Sequence, residues 1–133
     1  MKNDFVHLHL HSQYSLLDGA IKFEGLFEEV AKQGMSAVAL TDHGNLFGAY
    51  EFYKKAKANN IKPIIGCEVY ITQDLNKKTP DNNKTHHLTV LTANMQGYEN
   101  LCSLVSTGYL KGFYRKPRID KRILFEKNSG LIV

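Results

Sequence analysis

The chain has no tryptophan, only two cysteines and three prolines among 133 residues, and no apolar run long enough to be a membrane helix, which needs roughly 18 residues. The N-terminal residues run straight into a strand pattern without the apolar core of a signal peptide, so the expected location is cytoplasmic, with no membrane partner. Cys67 and Cys102 lie far apart in apolar surroundings, and neither belongs to a CxxC pair. That excludes a zinc ribbon and fits reduced thiols. Also missing are a glycine-rich phosphate loop, a GxSxG elbow and an HExxH helix, which removes the commonest nucleotide-cradling, serine-hydrolase and helical zinc-protease chemistries. No internal repeat or low-complexity tract breaks the chain, and its length suits one domain. A net charge of +4 favours a polyanionic partner only mildly.

What the chain does have is histidine in a pattern. In the run from Val6 to Gly19, His7, His9 and His11 alternate with Val6, Leu8 and Leu10, and Asp18 follows. In an extended strand such alternation puts all three imidazoles on one face. That is poor core material and makes sense if the face looks at a metal, since imidazole is the commonest metal-ligating side chain. The alternative is a surface accident or a hydrogen-bonded core pair.

Periodicity along the chain gives a strand over residues 5–10 and a helix over 21–33 with Phe23, Leu26, Phe27, Val30 and Ala31 buried. A short apolar strand over 37–40 reads as covered on both faces. A helix over 46–59 follows, capped by Asn45, with Leu46, Ala49, Tyr50, Tyr53 and Ala56 inward. A strand over 64–71 contains Glu68, which is costly there unless paired or bound to metal; the other reading is an edge strand with Glu68 in water. Residues 72–84 read as a mobile polar loop, 87–92 as a strand and 95–107 as a helix burying Tyr98, Leu101, Leu104 and Val105. Asp120 caps a short helix to Lys127, and 131–133 open a further strand. Strands alternating with helices predict an α/β fold with a parallel sheet or a partial (β/α) barrel.

Such a barrel carries its site at the C-terminal ends of its strands. His9, His11, Asp18, Asp42, His43 and Glu68 lie at or just past such ends. His86 and His87 open a strand instead, and spacing does not choose between them. Several histidines with two or three carboxylates suit a multi-ion hydrolytic site acting on a phosphoryl centre, with Asp42 orienting a ligand from behind. Lys111, Arg115, Lys116 and Arg118, interleaved with Phe113 and Tyr114, are a weak signal for nucleic-acid phosphates and bases.

The segments HLHS with Ser15 and Asp18, TDHG, GCE and HLTVL, together with HSQYSLLDGA, GYENL and GFYRKPRID, resemble the PHP (polymerase and histidinol phosphatase) superfamily. Within it they are similar to the N-terminal domains of bacterial replicative DNA polymerase III alpha subunits. The resemblance implies a distorted seven-stranded (β/α) barrel with two or three zinc or manganese ions. By position it implies His9, His11, Asp18, His43, Glu68 and His87 as ligands, which favours His87 over His86. It further implies a DNA-directed DNA polymerase as the whole protein, with Mg²⁺ at a polymerase site absent from this chain, and DNA, a proofreading exonuclease and a sliding clamp as partners. A 3′→5′ exonuclease or phosphoesterase activity would belong to the metal site itself. A stand-alone phosphoesterase of the histidinol-phosphatase kind and a non-catalytic docking module are the alternatives. On this reading residues 1–133 are the N-terminal portion of a PHP domain, cut off near its fifth strand.

Overall fold

Apolar residues at helical spacing form α1 (Phe23–Lys32), which buries Phe23, Leu26, Phe27 and Val30; Ala31, expected inside, is exposed. The computed structural model describes residues 5–133. β1 (Ala37–Leu40) is buried along its whole length, as a strand covered on both faces requires. α2 (Ala49–Ala58) begins three residues later than expected and buries Ala49, Phe52 and Ala56, while Tyr50 and Tyr53 face water. Asn45 does not cap it. Its Oδ1 accepts from Phe47 N at 3.0 Å and its Nδ2 donates to Tyr14 O and His43 O, closing a turn that delays the helix and rotates its buried face. Phe52 then sits 5.6 Å from the Phe23 ring centroid and 5.4 Å from that of Phe27, at the centre of one of two cores.

The spine of the sheet is β2 (Lys62–Thr72). It pairs in parallel with β1 through residues 62–65 and with β4 (Arg118–Asp120) through residues 70–72. Its partner over residues 66–71 is β3 (His86–Thr92), which in turn pairs with β5 (Leu131–Ile132). Both of these pairings are antiparallel, against the all-parallel sheet expected. The cause lies in the connection between β2 and β3. A parallel return needs a crossover of a dozen or more residues, usually built on a helix, and residues 73–85 hold only the single 3₁₀ turn Pro80–Asn82. The chain therefore folds straight back. The middle of this loop is also pinned, with Asn82 Nδ2 donating to Asp74 O at 2.6 Å and to Lys77 O at 2.7 Å.

The second core gathers β2, β3, β4, α3 (Met95–Leu110) and α4 (Lys121–Glu126) around Cys67, Val69, Val90, Leu101, Leu104, Ile119 and Leu124. Tyr98 is at its exposed margin. Asp120 caps α4 as expected, accepting from Ile123 N at 3.0 Å.

Residues 5–10 do not form the regular strand expected of them. They run beside β1, and the backbone bonds that join the two are Ala39 N to His7 O and Thr41 N to Leu10 O. A parallel ladder advances two residues on each strand per repeat. Here three on one side oppose two on the other, and such a bulge breaks the ladder. Thr41 Oγ1 covers the gap by accepting from Leu10 N at 2.8 Å.

Candidate metal centre

Glu68 is the residue around which the centre is built. It is only 2% exposed, in the middle of β2, with no lysine or arginine paired to it among the described residues. A carboxylate so placed costs several kcal/mol unless something positive or hydrogen-donating meets it. What meets it is imidazole on both sides. Oε2 faces His9 Nε2 and, at 3.0 Å, His11 Nε2. Oε1 faces His87 Nδ1 and, at 3.1 Å, His43 Nδ1. Burial pushes the Glu68 carboxyl up, but the hydrogen bonds from His9 and His11 and the charges of His43 and His87 outweigh it and hold the group below the usual carboxylate range.

Each side chain arrives by a separate route. His43 follows β1, where the backbone of residues 42–44 extends the edge of β2: Glu68 N donates to Asp42 O and Gly44 N to Glu68 O. Gly44 permits the turn after it, having φ +60° in a place where a Cβ would crowd Pro117 and Tyr70. His87 arrives because β3 runs backwards. Its register sets Glu68 against Thr89 and Tyr70 against His87, so Glu68, Tyr70 and His87 share one face. The antiparallel reversal thus delivers the beginning of a strand to the same place as the ends of the parallel ones. His86, the residue before it, points to the other face, into a cleft of about 980 Å³ lined also by Asp74, Lys77, Lys84 and Arg122.

Asp42 organises the turn that carries Asp18. It is 1% exposed and accepts from Ser12 N at 2.7 Å, Ser12 Oγ at 2.8 Å and Ser15 Oγ at 2.7 Å. Ser15 Oγ in turn accepts from His43 N. Asp18 Oδ2 then lies 3.1 Å from His43 Nε2. Ser12 and Ser15 were visible in the sequence but given no role there. Tyr70, two residues after Glu68, is on the same face, which strand alternation alone signals. Its ring lies nearly parallel to that of His43 at 6.1 Å and carries Lys116 Nζ 4.5 Å above it.

The result is three overlapping groups whose ligand atoms lie within 4.8 Å of one another: His9, His11 and Glu68; His11, Asp18 and His43; and His43, Glu68 and His87. Neither His7 nor His86 belongs to one. The residues fit a cation. His43 Nδ1 and Glu68 Oε1 are buried without hydrogen-bond geometry to any partner, although they face each other. An ion between lone pairs would satisfy both. Nitrogen and carboxylate oxygen together suit zinc or manganese. Cys67, next in sequence to Glu68, stays outside the set: burial pushes its thiol up to about 12, and Sγ donates to Asp42 O.

The basic segment divides. Lys111 and Arg115 are exposed and Lys116 half-buried, but Arg118 is fully buried and cannot meet a nucleic acid. Its guanidinium is consumed by the carbonyls of Gly112, Asn82 and Lys77.

Residues 7–133 match the family model described as PHP domain. Among curated proteins, the DNA polymerase III subunit alpha of Aquifex aeolicus is 49% identical over 99% of this chain, and that of Borreliella burgdorferi 52% over 98%. The chain spans only 12% of the length of each. An amidohydrolase from Chromobacterium violaceum shares the fold with a TM-score of 0.56 and 23% identity, over 77% of this chain and 32% of its own. A Bifidobacterium adolescentis protein assigned as a metal-dependent phosphoesterase aligns over the same shares with a TM-score of 0.50 and 19% identity. The shared architecture accords with the partial barrel expected from the sequence. No helix among the described residues is long and apolar enough to cross a membrane.

Proposed function

The chain belongs to the PHP domain family, and from that membership we propose that it is the N-terminal portion of a replicative DNA polymerase alpha subunit, holding a multi-ion centre that hydrolyses phosphodiesters. His9, His11, Asp18, His43, Glu68 and His87 are the proposed ligands. The observation that carries this reading is that the two oxygens of one buried carboxylate face two different pairs of imidazoles. Side chains so grouped would hold more than one cation between them.

Zinc or manganese held there would supply Lewis acidity toward water and toward the oxygens of a phosphoryl group. The chain's own residues do the rest. His9 and His11 hold one side of Glu68, His43 and His87 the other, and Asp42 keeps the turn bearing Asp18 against His43. A neutral imidazole has one free lone pair, so His43 serves either the side of Asp18 or the side of Glu68 Oε1, not both. Lys116, above Tyr70, offers a positive charge to a phosphate beside the centre.

In the whole protein, polymerisation and its Mg²⁺ would belong to the much larger remainder of the relatives' length. DNA, the proofreading exonuclease and the sliding clamp are the corresponding partners, in the cytoplasm. The test is hydrolysis of bis(p-nitrophenyl) phosphate and of a 3′-labelled single strand by protein loaded with Zn²⁺ or Mn²⁺. Both activities are expected, both vanish on chelation and return with the ion, and His9→Ala loses about 100-fold or more. Removing an outer-shell partner alone costs roughly 10–100-fold. Hydrolysis that survives chelation would end the reading.

A further inference from the structure

The aromatic side chains around the centre continue past Tyr70. Tyr70 and Pro117 lie together against Gly44, three residues before Phe47. The Tyr109 ring centroid is 6.2 Å from that of Phe113, with 27° between the planes, and 6.5 Å from that of Phe47. These three rings come from different places: Phe47 from the turn after His43, Tyr109 from the last turn of α3, and Phe113 from the chain just beyond it. Pro117 draws the two regions together, lying against the backbone of both Gly44 and Gly108. Yet the rings are not core. Phe47 is 67% exposed and Phe113 45%, and apolar surface left in water forgoes about 25 cal/mol per Å².

The segment that carries Tyr109 and Phe113 has charge of one sign. Between Asn100 and Ile119 the sequence has no carboxylate, and Lys111, Arg115 and Lys116 all fall in that stretch. We propose that Phe47, Tyr109 and Phe113 are a stacking platform for the bases of an unpaired nucleic-acid strand, whose phosphates run past Lys111, Arg115 and Lys116 and across Tyr70 to the metal centre. This rests on the phosphodiester reading and adds to it the surface that holds the bases of the strand. Aromatic faces interleaved with cations are what such a strand requires, because every base has a face to stack while its backbone needs positive charge. An apolar protein surface would leave the three cations desolvated and unpaired.

The test uses the ion-loaded protein, with fluorescence anisotropy of labelled oligothymidylate and of an abasic strand of equal length. Wild type is expected to prefer the strand with bases by about tenfold or more. Phe47→Ala and Phe113→Ala should each lose about tenfold in affinity for it, keep their affinity for the abasic strand, and hydrolyse bis(p-nitrophenyl) phosphate as wild type does. Phe113→Tyr should restore binding. Equal binding of the two strands by wild type, or unchanged oligothymidylate affinity in both alanine variants, would overturn the platform and leave the patch to a protein partner. If instead the small diester is not hydrolysed but the preference for bases persists and falls in the variants, the hydrolytic reading fails and the platform stands.

Discussion

Glu68→Gln strips the protein of its ions: expected affinity for Zn²⁺ or Mn²⁺ falls by well over 100-fold, the upper end of what losing a mere outer-shell partner costs. The substitution keeps the shape of the side chain and removes its charge. An amide still offers one oxygen, but its NH₂ turns a donor toward one pair of imidazoles, either His9 and His11 or His43 and His87. One side of the centre then loses its lone pair and the other keeps a neutral one. Hydrolysis of a small phosphodiester should fall with the ions. Unlike most ligand substitutions, this one leaves folding intact, because a neutral amide is cheaper to bury than a carboxylate. Titration of metal content against free ion concentration reads the effect, and near-wild-type affinity would contradict the role given to Glu68.

Arg118→Met should cost about 3–5 kcal/mol of folding stability: three hydrogen bonds from a charged group at roughly 1.5–3 kcal/mol each, less the several kcal/mol that burying the charge itself costs. Arg118 donates from Nε to Gly112 O at 3.0 Å, from Nη1 to Asn82 O at 2.8 Å and from Nη2 to Lys77 O at 3.3 Å. One planar fork thus ties the end of α3 and the 73–85 loop to β4. Methionine fills similar space and leaves three carbonyls without that donor. Lysine should not rescue, because a single ammonium on a flexible stem does not reproduce the fork. Tm should fall by roughly 10 °C or more. A loss under about 1 kcal/mol in urea unfolding would show that the loop is not held this way.

These two residues mark what a sequence can and cannot disclose. Glu68 was legible because a carboxylate inside an apolar strand violates a strong rule, and His9 and His11 because alternation places them on one face. Arg118 was not. In a run of lysines and aromatics it looks like one more surface cation, and only the folded chain brings three carbonyls to one point. The direction of β3 was half legible. Periodicity of two says nothing about orientation, but the absence of a helix between residues 73 and 85 already argued for a direct return. With that return, the start of β3 lies beside Glu68 and Tyr70, and His87 with it. The inward face of α2 differs from the expected one because Asn45 closes a turn instead of capping the helix. A helix starting later turns Phe52 inward and Tyr50 and Tyr53 out. Residues 5–10 had the right alternation for a strand, yet one extra residue opposite β1 breaks the ladder, and no pattern in a single segment reports its partner's spacing.

The most direct measurement is anomalous X-ray scattering from crystals of the protein grown with Zn²⁺ or Mn²⁺, recorded on either side of the metal's absorption edge. The expected map has separate peaks on the two sides of the Glu68 carboxylate, one beside His9 and His11 and the other beside His43 and His87. Peaks only elsewhere, or none with the protein saturated in metal, would contradict the Glu68-centred site on which the proposed hydrolytic function depends.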